Sequence, residues 1–238
     1  MIQGPDPGKI QTMFNSIAQG YDAANSILSF GIHHLWKQRL IRLSGAQSGN
    51  TILDCATGTG DLAFRFKTKI GTQGRVIGAD FSEQMLKVAK EKAAKGKIDI
   101  TFEKADIMNL PYADASFDIT SIAFGIRNVA DPVRGLSEMA RVLKPGGAVI
   151  VLEFGQPTLP LWKSIYALYS RHVLPCFGGM ITQKKDAYVY LEKSSAEFPC
   201  GQHFVEMMQE TKAFDHIEVQ SLSGGIAYVY RGVKATLR

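Results

Sequence analysis

Cysteine is scarce in this chain. The three present among 238 residues, Cys55, Cys176 and Cys200, are odd in number and show no C-x-x-C spacing. That excludes a disulfide framework and a cysteine-built zinc site, and the expected compartment is the reducing cytoplasm. Long apolar runs are also missing. Nothing approaches the ~20 residues that cross a bilayer, and no signal peptide is expected ahead of the first element. Internal repeats and low-complexity tracts are absent, so one folded domain is expected rather than an array. What is present is ordinary for a globular protein: 45% hydrophobic and 21% charged residues, in a chain long enough for one α/β domain with a substantial core. The net charge of +5 suits nucleic acid or an anionic membrane surface, and charge alone does not separate the two.

The most informative stretch is Asp54-Cys-Ala-Thr-Gly-Thr-Gly-Asp61, with Asp80 twenty residues beyond Gly60. An apolar strand runs into a glycine turn and then a helix, and a second apolar strand ends on an acid. Such an order fits a nucleoside cofactor over the carboxyl ends of two parallel strands, with Asp80 accepting hydrogen bonds from ribose hydroxyls. Gly58 and Gly60 satisfy the dinucleotide pattern G-x-G-x-x-G/A, so NAD is one reading. The charges favour another. A pyrophosphate would sit at the helix N-terminus, where Asp61 stands with Asp54 just upstream. Two carboxylates there suit a cationic cofactor end, such as the ammonium and sulfonium of S-adenosylmethionine. Asp61 is also an ordinary helix N-cap candidate.

Residues 1–10 read as a flexible tail, and 11–238 as a single domain. Helices are expected over 11–45. Beyond them, strands are expected near 51–56, 75–80, 100–105, 117–124 and 148–154, and helices near 61–69, 82–95 and 133–143. The turn Lys144-Pro-Gly-Gly147 is expected to separate the last of these helices from the fifth strand. An apolar stripe over 159–181, within a helical insertion spanning 157–205, is placed with the first helices as a lid or substrate entrance. The segments His216–Leu222 and Ile226–Arg231 flank Ser223-Gly-Gly225 as a hairpin. The fold class expected is α/β: a Rossmann-like class I methyltransferase, with a seven-stranded, mostly parallel sheet, an antiparallel C-terminal hairpin and helices on both faces.

Asp106, at the end of the third strand, is positioned to accept from an adenine amino group, with the Ile107 N–H reading a ring nitrogen. A solvated turn Asp is the plainer alternative. The fourth strand leads to Ser121-Ile-Ala-Phe-Gly-Ile-Arg-Asn128, whose carboxyl end should face the transferred methyl. This segment has neither the Pro-Pro-aromatic signature of amino-methylating nucleic-acid enzymes nor the Pro-Cys of cytosine C5 enzymes. No aromatic-plus-basic cluster for flipped bases is apparent, so no nucleic-acid partner is expected.

Several motifs resemble the ubiquinone/menaquinone C-methyltransferase family. They are Tyr21-Asp-Ala-Ala-Asn-Ser through His33 and Trp36, Phe124-Gly-Ile-Arg-Asn128, Arg141-Val-Leu-Lys-Pro-Gly-Gly147 through Glu153, and Ser223-Gly-Gly-Ile-Ala227. Tyr188-Val-Tyr-Leu with Phe198-Pro199 is similar too. Ala24, Gly155 and Glu192 depart from the usual Met, Ser and Pro. The resemblance covers 11–234 and implies methyl transfer from S-adenosylmethionine to a ring carbon of a polyprenylated quinol. By position it carries cofactor contacts to Thr59, Asp80, Asp106, Ile107 and Ala123, the last without the serine hydroxyl common there.

Carbon methylation needs a deprotonated quinol, and a dry pocket strengthens the attraction between quinolate and sulfonium. Arg127 is the expected cation. Asn128, Tyr21 and Asp22 are candidates for holding a proton-accepting water, and His33 is either a base or a packed histidine. Demethylmenaquinol is the favoured acceptor, on the thin ground of a short N-terminal extension, with a methoxy-benzoquinol as the alternative. The lipid tail of either acceptor implies peripheral contact with the inner membrane face. A homodimer is left open. The rivals are an RNA or small-molecule methyltransferase on the same scaffold, and a non-catalytic scaffold protein binding cofactor or quinone.

Overall fold

Near-continuous apolar runs, whose successive side chains point to opposite faces, put both faces of the central strands in contact with helices. The computed structural model describes residues 4–157, 164, 166, 168 and 184–236. Its sheet contains β1 (Thr51–Cys55), β2 (Arg75–Asp80), β3 (Thr101–Lys104), β4 (Phe117–Ala123), β5 (Leu143–Phe154), β6 (Phe214–Leu222) and β7 (Ala227–Lys234). The order is β3-β2-β1-β4-β5-β7-β6. The first five strands pair in parallel, and β7 runs antiparallel between β5 and β6. The expected sheet and its C-terminal hairpin are both present.

The helices whose bounds fall among the described residues are α1 (Pro7–Ile17), α2 (Tyr21–Leu28), α3 (Ile32–Leu43), α4 (Asp61–Ile70), α5 (Glu83–Gly96), α6 (Pro132–Arg141), α7 (Lys185–Glu197) and α8 (Gln202–Glu210). On one face Leu53, Ile77 and Val151 pack against Leu136 and Met139 of α6 and Phe204 and Met208 of α8. On the other, Ile52, Val76 and Ile150 meet Leu40 of α3, Phe66 of α4 and Leu86 of α5. A third cluster joins Ile17, Ala24, Leu28 and Met85 to Ala187 and Tyr188 of α7. It holds the N-terminal helices against α5 and α7.

Two boundaries differ from the sequence expectation. The first helix starts at Pro7, inside the segment read as a tail. Asp6 caps it, its carboxylate accepting from Gly8 N at 2.8 Å and Lys9 N at 3.2 Å, and Pro7 costs nothing at a position whose N–H has no intrahelical partner. Likewise Lys144–Gly147 lies within β5 rather than before it. Leu143 already pairs with Phe117, and the register shift between Phe117 and Ile119 absorbs the extra residues. Of the apolar stripe expected over 159–181, only Ser164, Tyr166 and Leu168 fall among the described residues.

Candidate active site

The strand order reverses between β1 and β4, and such a switch point opens a crevice at the carboxyl ends of the strands. Both chain segments leaving these strands are strained. Ala56 and Phe124 have left-handed backbones, with φ of 47° and 57°, a conformation costing non-glycine residues about 1–2 kcal/mol. The two segments come close together: a Cβ on Gly125 would lie 2.7 Å from that of Ala56. Two cavities meet here, of about 150 Å³ and about 440 Å³, and Tyr21, Ala56, Gly58, Ala123 and Phe124 line both.

The smaller cavity is walled by Asp80, Phe81, Asp106 and Ile107, as expected for a nucleoside. Gly58 N donates to Asp80 Oδ2 at 2.7 Å and Ser82 N to Oδ1 at 2.8 Å. These bonds tie the glycine turn to the end of β2. Burial pushes the Asp80 carboxyl up, against the pull of the backbone N–H donors. Asp106 Oδ1 accepts from Met108 N at 2.9 Å. Gly58 and Gly60 have φ of 57° and 85°, which a side chain would strain.

Asp54 lies in the wall of the larger cavity, 1% exposed. Thr57 Oγ1 donates to it at 2.6 Å and Ser121 Oγ at 2.7 Å. Burial raises its pKa to about 6, although both hydroxyls favour the anion. Asp61 differs from the expectation. It is no bare anion: Lys37 Nζ lies 2.8 Å from one oxygen and Arg65 Nε 3.2 Å from the other. Burial alone would push its pKa up, yet these cations bring it down to about 2. The repulsion of a pyrophosphate attributed to Asp61 therefore weakens, and of the two carboxylates Asp54 is left to carry it. Thr59 Oγ1 donates to Asp22 Oδ1 at 2.5 Å, and Lys92 ion-pairs the same carboxylate.

Arg127 lines the larger cavity and Asn128 the smaller. The Arg127 guanidinium forms a buried ion pair with Glu153 at 2.7 Å, the two side chains being 5% and 2% exposed. It also donates to Phe124 O at 2.5 Å and lies 5.3 Å from the centre of the Phe154 ring. Asn128 Oδ1 accepts from Tyr190 at 3.0 Å. Ser29 Oγ donates to Asn25 O at 2.7 Å and lies 2.6 Å from His33 Nδ1. A hydroxyl has one proton to give, so His33 Nδ1 carries the proton between them and Nε2 keeps a lone pair. Burial, then Lys37, lowers the His33 pKa to about 4. Ring nitrogens of His33 and His34 lie within 4.8 Å of an Asp61 oxygen, but Lys37 and Arg65 already occupy that carboxylate and would repel a metal ion.

The structure gathers the expected residues around these two cavities, except Gly60, which lines neither, and it commits Asp22 to Lys92 and Asn128 to Tyr190. Four participants were missed from sequence: Thr57 and Ser121, which hold Asp54; Glu153, a lone acid in an apolar strand; and Lys37, one helical turn beyond His33. Of these, Glu153 carried a signal, since a charge inside an apolar run requires a partner.

The model of the ubiE/COQ5 methyltransferase family matches residues 3–234. The Bdellovibrio bacteriovorus protein named ubiquinone/menaquinone biosynthesis C-methyltransferase UbiE is 54% identical over 228 residues, covering 96% of this chain and 97% of its own. The Francisella tularensis subsp. novicida protein of the same name is 43% identical, covering 95% and 91%. Among solved structures, a SAM-dependent methyltransferase from Thermotoga maritima superimposes with a TM-score of 0.66 at 21% identity, over 94% of this chain and 98% of that one. The fold is the Rossmann-like class I methyltransferase fold.

Proposed function

This chain belongs to the ubiE/COQ5 methyltransferase family, and from that premise we propose that it methylates a ring carbon of a polyprenylated quinol, using S-adenosylmethionine. The observation that carries the reading is the pair of cavities meeting at Ala56, Gly58, Ala123 and Phe124. A smaller compartment edged by carboxylates opens onto a larger, aromatic one. The residues present fit the cofactor. Asp80 would take the ribose hydroxyls, Asp106 and Ile107 the adenine, and Asp54 the ammonium. When bound, S-adenosylmethionine supplies an electrophilic methyl on a cationic sulfur.

The chain's own groups must then orient the acceptor, exclude water and hold a proton. Trp36, Phe124 and Phe154 form an aromatic cluster, with ring centres 4.4–6.3 Å apart. In a cavity of about 440 Å³ that wall suits a fused two-ring acceptor, which favours demethylmenaquinol over the methoxy-benzoquinol. Arg127, fixed by Glu153, offers positive charge to the phenolic oxygen as it loses its proton. His33 Nε2 is the acceptor for the phenolic proton. Its low pKa makes it a weak base, so proton removal accompanies methyl transfer rather than preceding it.

The exposed residues Ile27, Phe30, Ile32 and Leu35 gather on α2, α3 and the turn between them, and Phe30 and Ile32 reach the larger cavity. We assign this patch to contact with the membrane that holds the quinol tail. Among the described residues no helix is long and apolar enough to cross a membrane. The test is transfer of labelled methyl to demethylmenaquinol, the methoxy-benzoquinol and RNA in parallel. Label in the naphthoquinol above all is expected. Label in RNA alone, or in nothing, overturns the reading, and a preference for the benzoquinol overturns its finer part.

A further inference from the structure

The amino-acid end of S-adenosylmethionine carries two charges, and Asp54 answers only one of them. The larger cavity also holds Lys37, whose side chain is 14% exposed and whose Nζ lies 2.8 Å from Asp61 Oδ2. Asp61 does not need Lys37 for neutralisation, since Arg65 also pairs with it at 3.2 Å. One carboxylate between two cations leaves a positive charge unmatched. An ammonium has three N–H donors, and Asp61 takes one. Asp61 also stands in the first turn of α4, whose N-terminus has no side-chain cap, so the helix dipole shares with Arg65 in neutralising it.

Asp54 and Lys37 thus present opposite charges to one cavity, beyond the junction at Ala56 and Gly58. We propose that Lys37 is the carboxylate-binding residue of the cofactor site, holding the α-carboxylate of the methionine moiety while Asp54 holds its ammonium. This rests on the reading that the site takes S-adenosylmethionine. The pair makes the site selective for a zwitterionic amino-acid end. It also fixes which way the chain between ribose and α-carbon runs, and so where the methyl lies relative to Phe124.

The experiment compares two ligands differing only in that carboxylate, S-adenosylmethionine and decarboxylated S-adenosylmethionine, by titration calorimetry on wild type and Lys37→Met. Methionine keeps the length of the stem and removes the charge. Wild type is expected to bind the decarboxylated compound about ten- to hundred-fold more weakly, the range of a hydrogen bond to a charged group. Lys37→Met should lose a similar factor for S-adenosylmethionine and change less than twofold for the decarboxylated compound. Equal losses for both ligands would overturn the assignment and make Lys37 a structural partner of Asp61. So would unchanged cofactor affinity with a raised KM for quinol.

If Lys37→Met does not fold, wild type and Lys37→Arg carry the test, because arginine retains the charge. Both should discriminate between the ligands, and a difference under twofold in wild type overturns the proposal. Wild type that binds neither compound sinks the cofactor reading itself. Wild type that binds both alike sinks only the role of Lys37.

Discussion

Replacing Asp54 by Asn separates what this carboxylate costs the fold from what it gives the cofactor. Its pKa rises from 3.8 to about 6, equivalent to about 3 kcal/mol. The raised value means that the native state holds the proton more tightly than the unfolded chain. Stability is then greatest below about pH 4, declines as pH rises toward 6, and is flat above. Asn cannot ionise, and its side chain still offers the Thr57 hydroxyl an acceptor. At pH 7.5 the apo Asp54→Asn protein should therefore be more stable than wild type by about 1–3 kcal/mol, some of the gain being lost to rearranged hydroxyls. For a domain of this size that is about 2–4 °C in Tm per kcal/mol. At pH 4 the two proteins should converge. Cofactor affinity should move the other way. Wild type must ionise Asp54 to hold the ammonium, so its affinity should fall toward tenfold per pH unit below 6, while the Asn variant binds weakly and without pH dependence. Thermal melts from pH 4 to 8 and calorimetry over the same range measure both. Wild-type affinity constant from pH 5 to 7.5, or an Asn variant no more stable at pH 7.5, would contradict a buried Asp54 that ionises to hold the ammonium.

Arg127→Ala leaves the buried Glu153 without its countercharge, and should cost about 3–5 kcal/mol in urea unfolding; Arg127→Met combined with Glu153→Met should recover most of that stability but not turnover. Gly60→Ala puts a Cβ 2.9 Å from the Phe102 ring at a φ of 85°, and should lower Tm by several degrees and weaken the cofactor. Phe30 and Leu35, 79% and 64% exposed, changed together to Glu should abolish flotation with anionic liposomes while cofactor affinity stays within twofold. His33, with its pKa near 4, is already in the accepting form at neutral pH. Its titration should leave turnover level from pH 6 to 8, and an ascending limb near 6.5 that His33→Gln removes would contradict that assignment.

Strands were legible wherever the apolar pattern was local. β1, β2 and β4 lie within one residue of expectation because buried parallel strands read as unbroken apolar runs. Two ends were misread where a local signal was outvoted. Pro145 and Gly146 spell a turn, but they form a bulge inside β5, between the Phe117–Leu143 and Ile119–Ala148 pairs. Pro7 follows a capping Asp within a segment whose glycines suggested a tail. The glycine turn and the strand-end acids were legible for the same reason, since the places of Gly58, Gly60, Asp80 and Asp106 follow from backbone shape and strand ends. The ion pairs were not. Lys37 meets Asp61 across 24 residues and Arg127 meets Glu153 across 26, and no periodicity encodes which charges pair across elements. That gap also explains why Asp61 was read as an open anion.

A quinol offers a methyl donor both oxygen and carbon, and the account stands on which of them is methylated. With 13C-methyl-labelled S-adenosylmethionine and demethylmenaquinol, the product's carbon spectrum separates an aromatic C-methyl from a methoxy resonance. A ring C-methyl is the predicted result. A methoxy signal, or label recovered only in unreacted donor, contradicts a cavity that presents ring carbon to the methyl.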